Sequence, residues 1–239
     1  MQTEIEIEEE PRRWSVEHAD ALKFMRSQNS SSAGLVITDP AYDSLESHRQ
    51  IGTTTRLTGD WFDVVGDDYY RPLFLEIHRV LRPDAHGYCF CDQSTLPLIR
   101  DAVRFSGLDW YKFLIWDKVH IGMGYRYRAQ HELIVFFGRG TGRQVADLGV
   151  GDVLECPRVH GGYPTEKPVD LLRLLITQSS DPGDLVVDPF TGSGSTGSAA
   201  LLEGRRFAGC DLDEDAVALA RERLLEKMSS VEPTPVTYS

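Results

Sequence analysis

Little in this chain favours an extracellular, membrane or metal-centred protein. Its four cysteines, Cys89, Cys91, Cys156 and Cys210, are few for 239 residues, and three of them fall in apolar, strand-like stretches rather than at disulfide or metal-ligand spacings. A reduced, cytoplasmic setting without a metal is expected. The sequence shows neither a run of about 18 apolar residues nor a charged start followed by an apolar core, so membrane spanning and export are not expected. Repeats at a fixed period are also missing, which excludes a solenoid. Positive charge is scarce: 25 Lys and Arg against 37 Asp and Glu leave a net charge of −12, the wrong sign for binding nucleic acid through phosphates alone. Its distribution qualifies that sum. Acid concentrates in Glu4 to Glu10 and in the last two helical stretches, whereas Lys112, Lys118, Arg126, Arg128, Arg139 and Arg143 cluster mid-chain, compatible with one basic face.

What is present is an alternation of apolar runs, bounded by turn residues, with stretches of helical period. That pattern predicts a mostly parallel sheet with helices on both faces. Strands are expected near 12–18, 34–39, 86–92, 110–116, 132–137, 184–188 and 206–211, and helices near 20–27, 68–82, 94–106, 168–179, 195–203 and 213–228. Lys167 with Pro168 suits a helix start, and "RPDAHG" after Leu81 suits a helix stop. No helix separates the fourth and fifth strands, so they are expected to form an antiparallel edge pair. The stretches 43–67 and 138–163 yield no element, and loops of such length in a compact domain are commonly functional.

The second strand runs straight into "TDPAYDS", residues 38–44. Asp and Pro are ordinary turn residues, so this junction is also readable as punctuation. Near the other end, "LVVDPFTGSGSTGSAALLEGRRFAGCDLD", 185–213, reads as strand, glycine turn, helix and strand. Gly192, Gly194 and Gly197 satisfy G-x-G-x-x-G, and Asp211 stands where a ribose-binding carboxylate belongs, which taken literally describes a nicotinamide oxidoreductase. Asp188 points elsewhere. A carboxylate at that strand end repels a pyrophosphate on the helix N-terminus but welcomes a sulfonium or ammonium, and S-adenosylmethionine carries both. Asp188 as a helix cap and Asp211 as a turn residue are the plainer readings of the same positions.

Together, "TDPAY" (38–42), "YPTEKP" (163–168), "DPFTGSGST" (188–196) and "GCDLDEDAVALARERL" (209–224) resemble the motifs of amino-group DNA methyltransferases in the β-class order, with the catalytic D-P-P-Y first and the cosubstrate turn late. The resemblance covers about 12–228. It implies an α/β, Rossmann-like, S-adenosylmethionine-dependent methyltransferase fold: a mostly parallel seven-stranded sheet, an antiparallel edge hairpin and a circularly permuted motif order. One domain over 1–228 is expected, with target-recognition loops near 43–67, 118–130 and 138–163 and a tail at 229–239. The C-terminal strands should then lie beside the N-terminal ones, aligning Asp20, Asp39, Asp188 and Asp211 along one carboxyl edge.

By that resemblance, Asp39, Pro40 and Tyr42 are the catalytic group: carboxylate and carbonyl accept hydrogen bonds from an exocyclic amine, and the ring stacks on the base. Asp39 also borders the cosubstrate. Phe190, Gly192, Gly194 and Ser195 approach it, Asp188 faces its cationic end, Asp211 holds the ribose, Asp20 meets its adenine amine, and Thr165 and Lys167 reach the methionine end. Ala41 replaces the family's usual second proline, so reduced catalysis or a silent DNA-binding partner subunit is a further reading.

The segment "IWDKVHIGMGYRYRAQHELIVFFGRG", 115–140, resembles the family's W-x-K followed by Arg and H-E. Lys118, Arg126 and Arg128 are candidates for phosphates, and His131 with Glu132 for shaping the base pocket, although a solvated basic hairpin has the same composition. Arg49 and Arg56, in a polar loop with His48 and three threonines, are candidates for reading groove edges. Trp61 and Phe62 read as core anchors in preference to a wedge. DNA is the expected partner, homodimerisation follows only from the resemblance, and adenine N6 is preferred over cytosine N4 because Asp rather than Ser stands at position 39.

Overall fold

The computed structural model describes residues 13–40, 67–122, 127–159 and 166–230. Its elements follow in the order β1 (Trp14–His18), α1 (Ala21–Ser27), β2 (Ala33–Thr38), α2 (Asp67–Val80), β3 (Leu81–Cys91), α3 (Leu96–Ser106), β4 (Asp109–Asp117), β5 (His131–Gly138), β6 (Val153–Glu155), α4 (Val169–Ser179), β7 (Leu185–Asp188), α5 (Ser195–Leu202), β8 (Arg206–Asp211) and α6 (Glu214–Ser230). The strands form one sheet in the order β1-β8-β7-β2-β3-β5-β4-β6. From β1 through β3 every pairing is parallel. β5 then runs antiparallel to both β3 and β4, and β6 returns parallel to β4.

Side-chain alternation along the central strands feeds two cores. On one face Val36, Cys89 and Cys91 meet Phe24, Leu73, Phe74, Ile77 and Val103 from α1, α2 and α3. On the other, Leu35, Ile37, Tyr88 and Phe90 meet Leu171, Leu175, Ala199, Ala220 and Leu224 from α4, α5 and α6. β2 is buried at every position, which is why its sequence reads as a continuous apolar run and not as an alternation. Each fully buried large side chain contributes about 1.5–3 kcal/mol, so the double core, not intrinsic strand preference, holds the sheet together.

Two expectations need correction. Among the described residues the sheet has eight strands, not seven, because β6 lies within a stretch that yields no element from sequence. Three residues are too few for a period to show, and β6 is fixed by backbone hydrogen bonds flanking it, Ile115 N to Asp152 O at 2.8 Å and Cys156 N to Asp117 O at 2.9 Å. β6 therefore displaces the β4–β5 pair from the edge, although that pair is antiparallel as expected. Helix α2 does stop before "RPDAHG", but β3 begins at once at Leu81, about five residues early, because Leu81 pairs with Ala33 of β2 across a register shift; Arg139 Nη1 also donates to the Leu81 carbonyl at 2.6 Å. Among the described residues, no helix is long and apolar enough to cross a membrane, all four cysteines are free, and no group of three His, Cys, Asp or Glu is placed to hold a metal.

Candidate active site

Chain connections leave β7 and β2, which are neighbours, in opposite directions: β7 leads through α5 to β8 on one side, β2 through α2 to β3 on the other. That divergence opens a crevice at the carboxyl ends of the two strands, where open α/β sheets bind ligands. Because β1, β8, β7 and β2 are parallel neighbours, Asp20, Asp211, Asp188 and Asp39 all stand at this edge, as expected.

The turn after β7 is held by hydrogen bonds from its backbone N–H groups. Phe190 N donates to Asp188 Oδ1 at 3.0 Å, Thr191 N to the Cys210 carbonyl at 2.9 Å, and Gly194 N to the Thr191 carbonyl at 2.9 Å. Gly192 at φ +49° and Gly194 at φ +81° occupy left-handed backbone that favours glycine, and Gly194 caps α5. Asp211 closes the turn from β8: Oδ2 accepts from Gly192 N at 2.8 Å and Oδ1 from Asp213 N at 3.0 Å. Each of those oxygens keeps a second lone pair, as ribose hydroxyls require. Phe190 packs half-buried against the first core.

Burial pushes the Asp188 carboxyl up to about 7; the Asp39 and Asp211 carboxylates add to the effect, while Thr196 and the Phe190 N–H oppose it. Asp211 is likewise raised, chiefly by burial. An edge at which carboxylates resist their own charge calls for a cation, not for a pyrophosphate. The acidic edge disfavours the pyrophosphate that the glycine signature alone suggests, and it fits the sulfonium and ammonium of S-adenosylmethionine.

Asp20 caps α1, accepting from Lys23 N at 2.9 Å, and its other oxygen accepts from the Tyr69 hydroxyl at 2.7 Å. Tyr69 in turn accepts from Leu22 N at 3.0 Å, so α2 pins the start of α1 beside the site. Burial and the Asp20 acceptor raise the Tyr69 hydroxyl well above its usual range.

The end of the crevice at Asp39 is organised by a chain of alternating charges. Lys167 Nζ pairs with Asp39 Oδ2 and, at 3.2 Å, with Glu132 Oε1, and it lies 5.0 Å over the Phe90 ring. Lys118 Nζ pairs with Glu132 Oε2 at 2.8 Å and lies 4.8 Å over the Trp116 ring. Burial works against the charge on Lys167, yet Asp39 and Glu132 hold its ammonium above the usual range. Burial likewise opposes the Glu132 charge, but Lys167 and Lys118 hold that carboxyl below its usual range. Pro40, beside Asp39, is buried.

This chain corrects the reading of Lys118 as a phosphate contact: its ammonium faces Glu132 and an indole, both largely buried. Arg128 and His131 are exposed at this end of the sheet, with Arg128 Nε donating to the Gly122 carbonyl at 2.6 Å. The mid-chain cations do not gather on one face. Lys112 pairs with Asp152 at 3.1 Å and Arg143 with Asp181 at 2.8 Å, while Arg139 is carried by antiparallel β5 to the opposite edge, where it meets Ser31 and Leu81. Ser195 is buried, and its hydroxyl accepts from Arg223. Ala41, Tyr42, Arg49, Arg56, Trp61, Phe62, Arg126 and Thr165 lie outside the described residues.

Known proteins resemble this chain in sequence and in fold. The sequence profile of the DNA methylase family matches residues 146–222. A protein of Escherichia coli K12 described as a methylase, YubD, is 30% identical over 86% of this chain and 87% of its own length. The DNA adenine methyltransferase YhdJ of the same organism is 27% identical over 87% of this chain and 81% of its length. Among solved structures, M1.HpyAVI in complex with SAM superposes with a TM-score of 0.67 at 21% identity, covering 88% of this chain and all of that one. PvuII DNA methyltransferase, cytosine-N4-specific, superposes with a TM-score of 0.70 at 17% identity, covering 91% and 90%.

Proposed function

The chain belongs to the amino-group DNA methyltransferase family, and from that membership we propose that it transfers a methyl group from S-adenosylmethionine to the N6 amine of adenine in DNA. The observation that carries the proposal is the meeting of two sites at one crevice: the glycine turn with Asp188 and Asp211, and the Asp39–Pro40 junction one strand away. The adenine preference is supported by Asp39, and by the likeness to a relative named for adenine. When bound, S-adenosylmethionine supplies a methyl group activated by positively charged sulfur.

The protein's own groups do the rest. Asp211 accepts from ribose hydroxyls, and Asp188 in its charged form faces the donor's cationic end. An exocyclic amine is a poor nucleophile because its lone pair is delocalised into the ring. Asp39 and the Pro40 carbonyl accept its two hydrogens, which favours the tetrahedral nitrogen and aims the lone pair at the methyl carbon. Asp39 would also take up the surplus proton that the amine nitrogen carries once it has accepted the methyl group. Tyr42 would stack on the extruded base and Thr165 would lie beside the donor. Arg128, His131, Arg49, Arg56 and Arg126 would meet DNA.

Because Asp188 titrates near 7, S-adenosylhomocysteine affinity should rise with pH, by about tenfold per unit below 7 and levelling above it. Without ligand this group acts on stability in the opposite direction. Its folded value lies above the unfolded one, so its contribution falls as pH rises toward 7 and stays low beyond. Calorimetric titration from pH 5.5 to 8.5 checks the first effect, and Asp188→Asn should abolish the slope.

Nucleoside mass spectrometry of DNA incubated with the protein and labelled S-adenosylmethionine tests the assignment. N6-methyladenine is expected. N4-methylcytosine in its place, the specificity for which the PvuII enzyme is named, would overturn the base, and unmodified DNA would overturn the reaction.

A further inference from the structure

The glycine turn rests on the last helix, and the contact is too close to be incidental. A Cβ placed on Gly194 would lie 2.9 Å from the Ala220 Cβ and 3.0 Å from its Cα, so the turn is pressed against α6 at that point. One helical turn further along the same face stands Arg223. Its Nη1 donates to Ser193 Oγ at 3.2 Å and to Ser195 Oγ at 3.0 Å, the two hydroxyls that flank Gly194. The same guanidinium grips Glu166 with both nitrogens, Nη1 to Oε1 at 3.0 Å and Nη2 to Oε2 at 3.2 Å. Glu166 immediately precedes Lys167, which pairs with Asp39.

We propose that Arg223 is a positioning residue that fixes the methyl-donor turn and the segment carrying Lys167 relative to each other. This rests on the reading of the glycine turn as the cofactor site. Among the described residues, the guanidinium bonds to these two segments and not to the sheet, whose core is served by the neighbouring Leu224. Ser193 and Ser195 are buried, so their hydroxyls depend on protein partners, and the planar fork of arginine satisfies a carboxylate and two hydroxyls at once where an ammonium acts as a point charge. Without that clamp, the backbone of the turn and the lysine beside the catalytic carboxylate lose a common reference. The donor should then bind more weakly while the chemistry, once the site is filled, proceeds.

The test compares Arg223→Met, Arg223→Lys, Glu166→Gln and Asp211→Ala with the unaltered protein, by calorimetry with S-adenosylhomocysteine, by steady-state kinetics and by thermal melting. Arg223→Met should raise Kd and the KM for S-adenosylmethionine together by about tenfold or more, with kcat lowered no more than about threefold. Arg223→Lys should recover part of the loss, and the Arg223→Met and Glu166→Gln double variant should lose less than the product of the single effects. Unchanged affinity in Arg223→Met beside lost affinity in Asp211→Ala would overturn the clamp alone. Unchanged affinity in Asp211→Ala would instead overturn the cofactor site on which the clamp rests. If Arg223→Met does not fold, Arg223→Lys decides: wild-type Kd and KM overturn the proposal.

Discussion

Replacing Asp39 by Asn should lower kcat for DNA methylation by roughly 10²–10³-fold while S-adenosylhomocysteine affinity changes by less than about threefold. Asp39 sits at the end of a strand buried on both faces and is followed by buried Pro40, so its backbone is fixed by the sheet and survives the substitution. What changes is the acceptor. Asparagine keeps one carbonyl oxygen but presents an NH2 group either to Lys167 or to the target amine, and two donors facing each other cannot activate a nitrogen. The negative charge that offsets positive charge developing on the amine is lost as well. Asp39→Ala removes the side-chain acceptor altogether, leaving only the Pro40 carbonyl, and should fall at or below the Asn value. Equal losses in cofactor affinity and in kcat would show that the side chain is architectural.

Lys167→Met should have the largest effect on stability. In the unaltered protein its ammonium sits between Asp39 and Glu132, with side chains 12%, 23% and 15% exposed. Its removal leaves two carboxylates facing one apolar side chain, with Lys118 reaching only Glu132. Breaking a buried ion pair of this kind costs about 3–5 kcal/mol, and partial exposure of Asp39 places this one toward the lower end. The pH dependence should invert. Glu132 is held below its usual range, so in the unaltered protein its contribution is present above its unfolded value and is lost as pH falls through its folded value. In Lys167→Met both carboxyls lose that cation and their pKa values rise relative to the unaltered protein, so acidification toward pH 5 should restore part of the lost stability. Urea denaturation at pH 5 and 7.5 reads this directly. A variant with the slope of the unaltered protein would show that Lys167 is not the counter-ion of this site.

The features legible in the sequence are those that end strands or turn chain. Asp39, Asp188 and Asp211 close apolar runs, and motif order dictates which runs are neighbours, so the acidic edge follows without coordinates. The charge chain behind it does not follow. Lys167 meets Asp39 across 128 positions and Arg223 meets Glu166 across 57, pairings decided by the packing of α4 and α6 and by no local pattern. Within "ARERL" Arg223 has the look of a solvated helical face. The basic middle of the chain misleads for a related reason: closeness in sequence is not a shared surface, and antiparallel β5 separates its two ends by the height of the sheet, leaving His131 at the carboxyl end of β3 and Arg139 at the opposite edge. β6 is illegible because three residues carry no period.

A co-crystal with sinefungin, whose amine replaces the sulfonium, tests this chemistry most directly. The compound should lie against Asp188 and Gly192 with its ribose on Asp211 and its amine directed toward Asp39 and Pro40. Density for it on any other part of the sheet, with the crevice between β7 and β2 empty, would contradict the proposed chemistry.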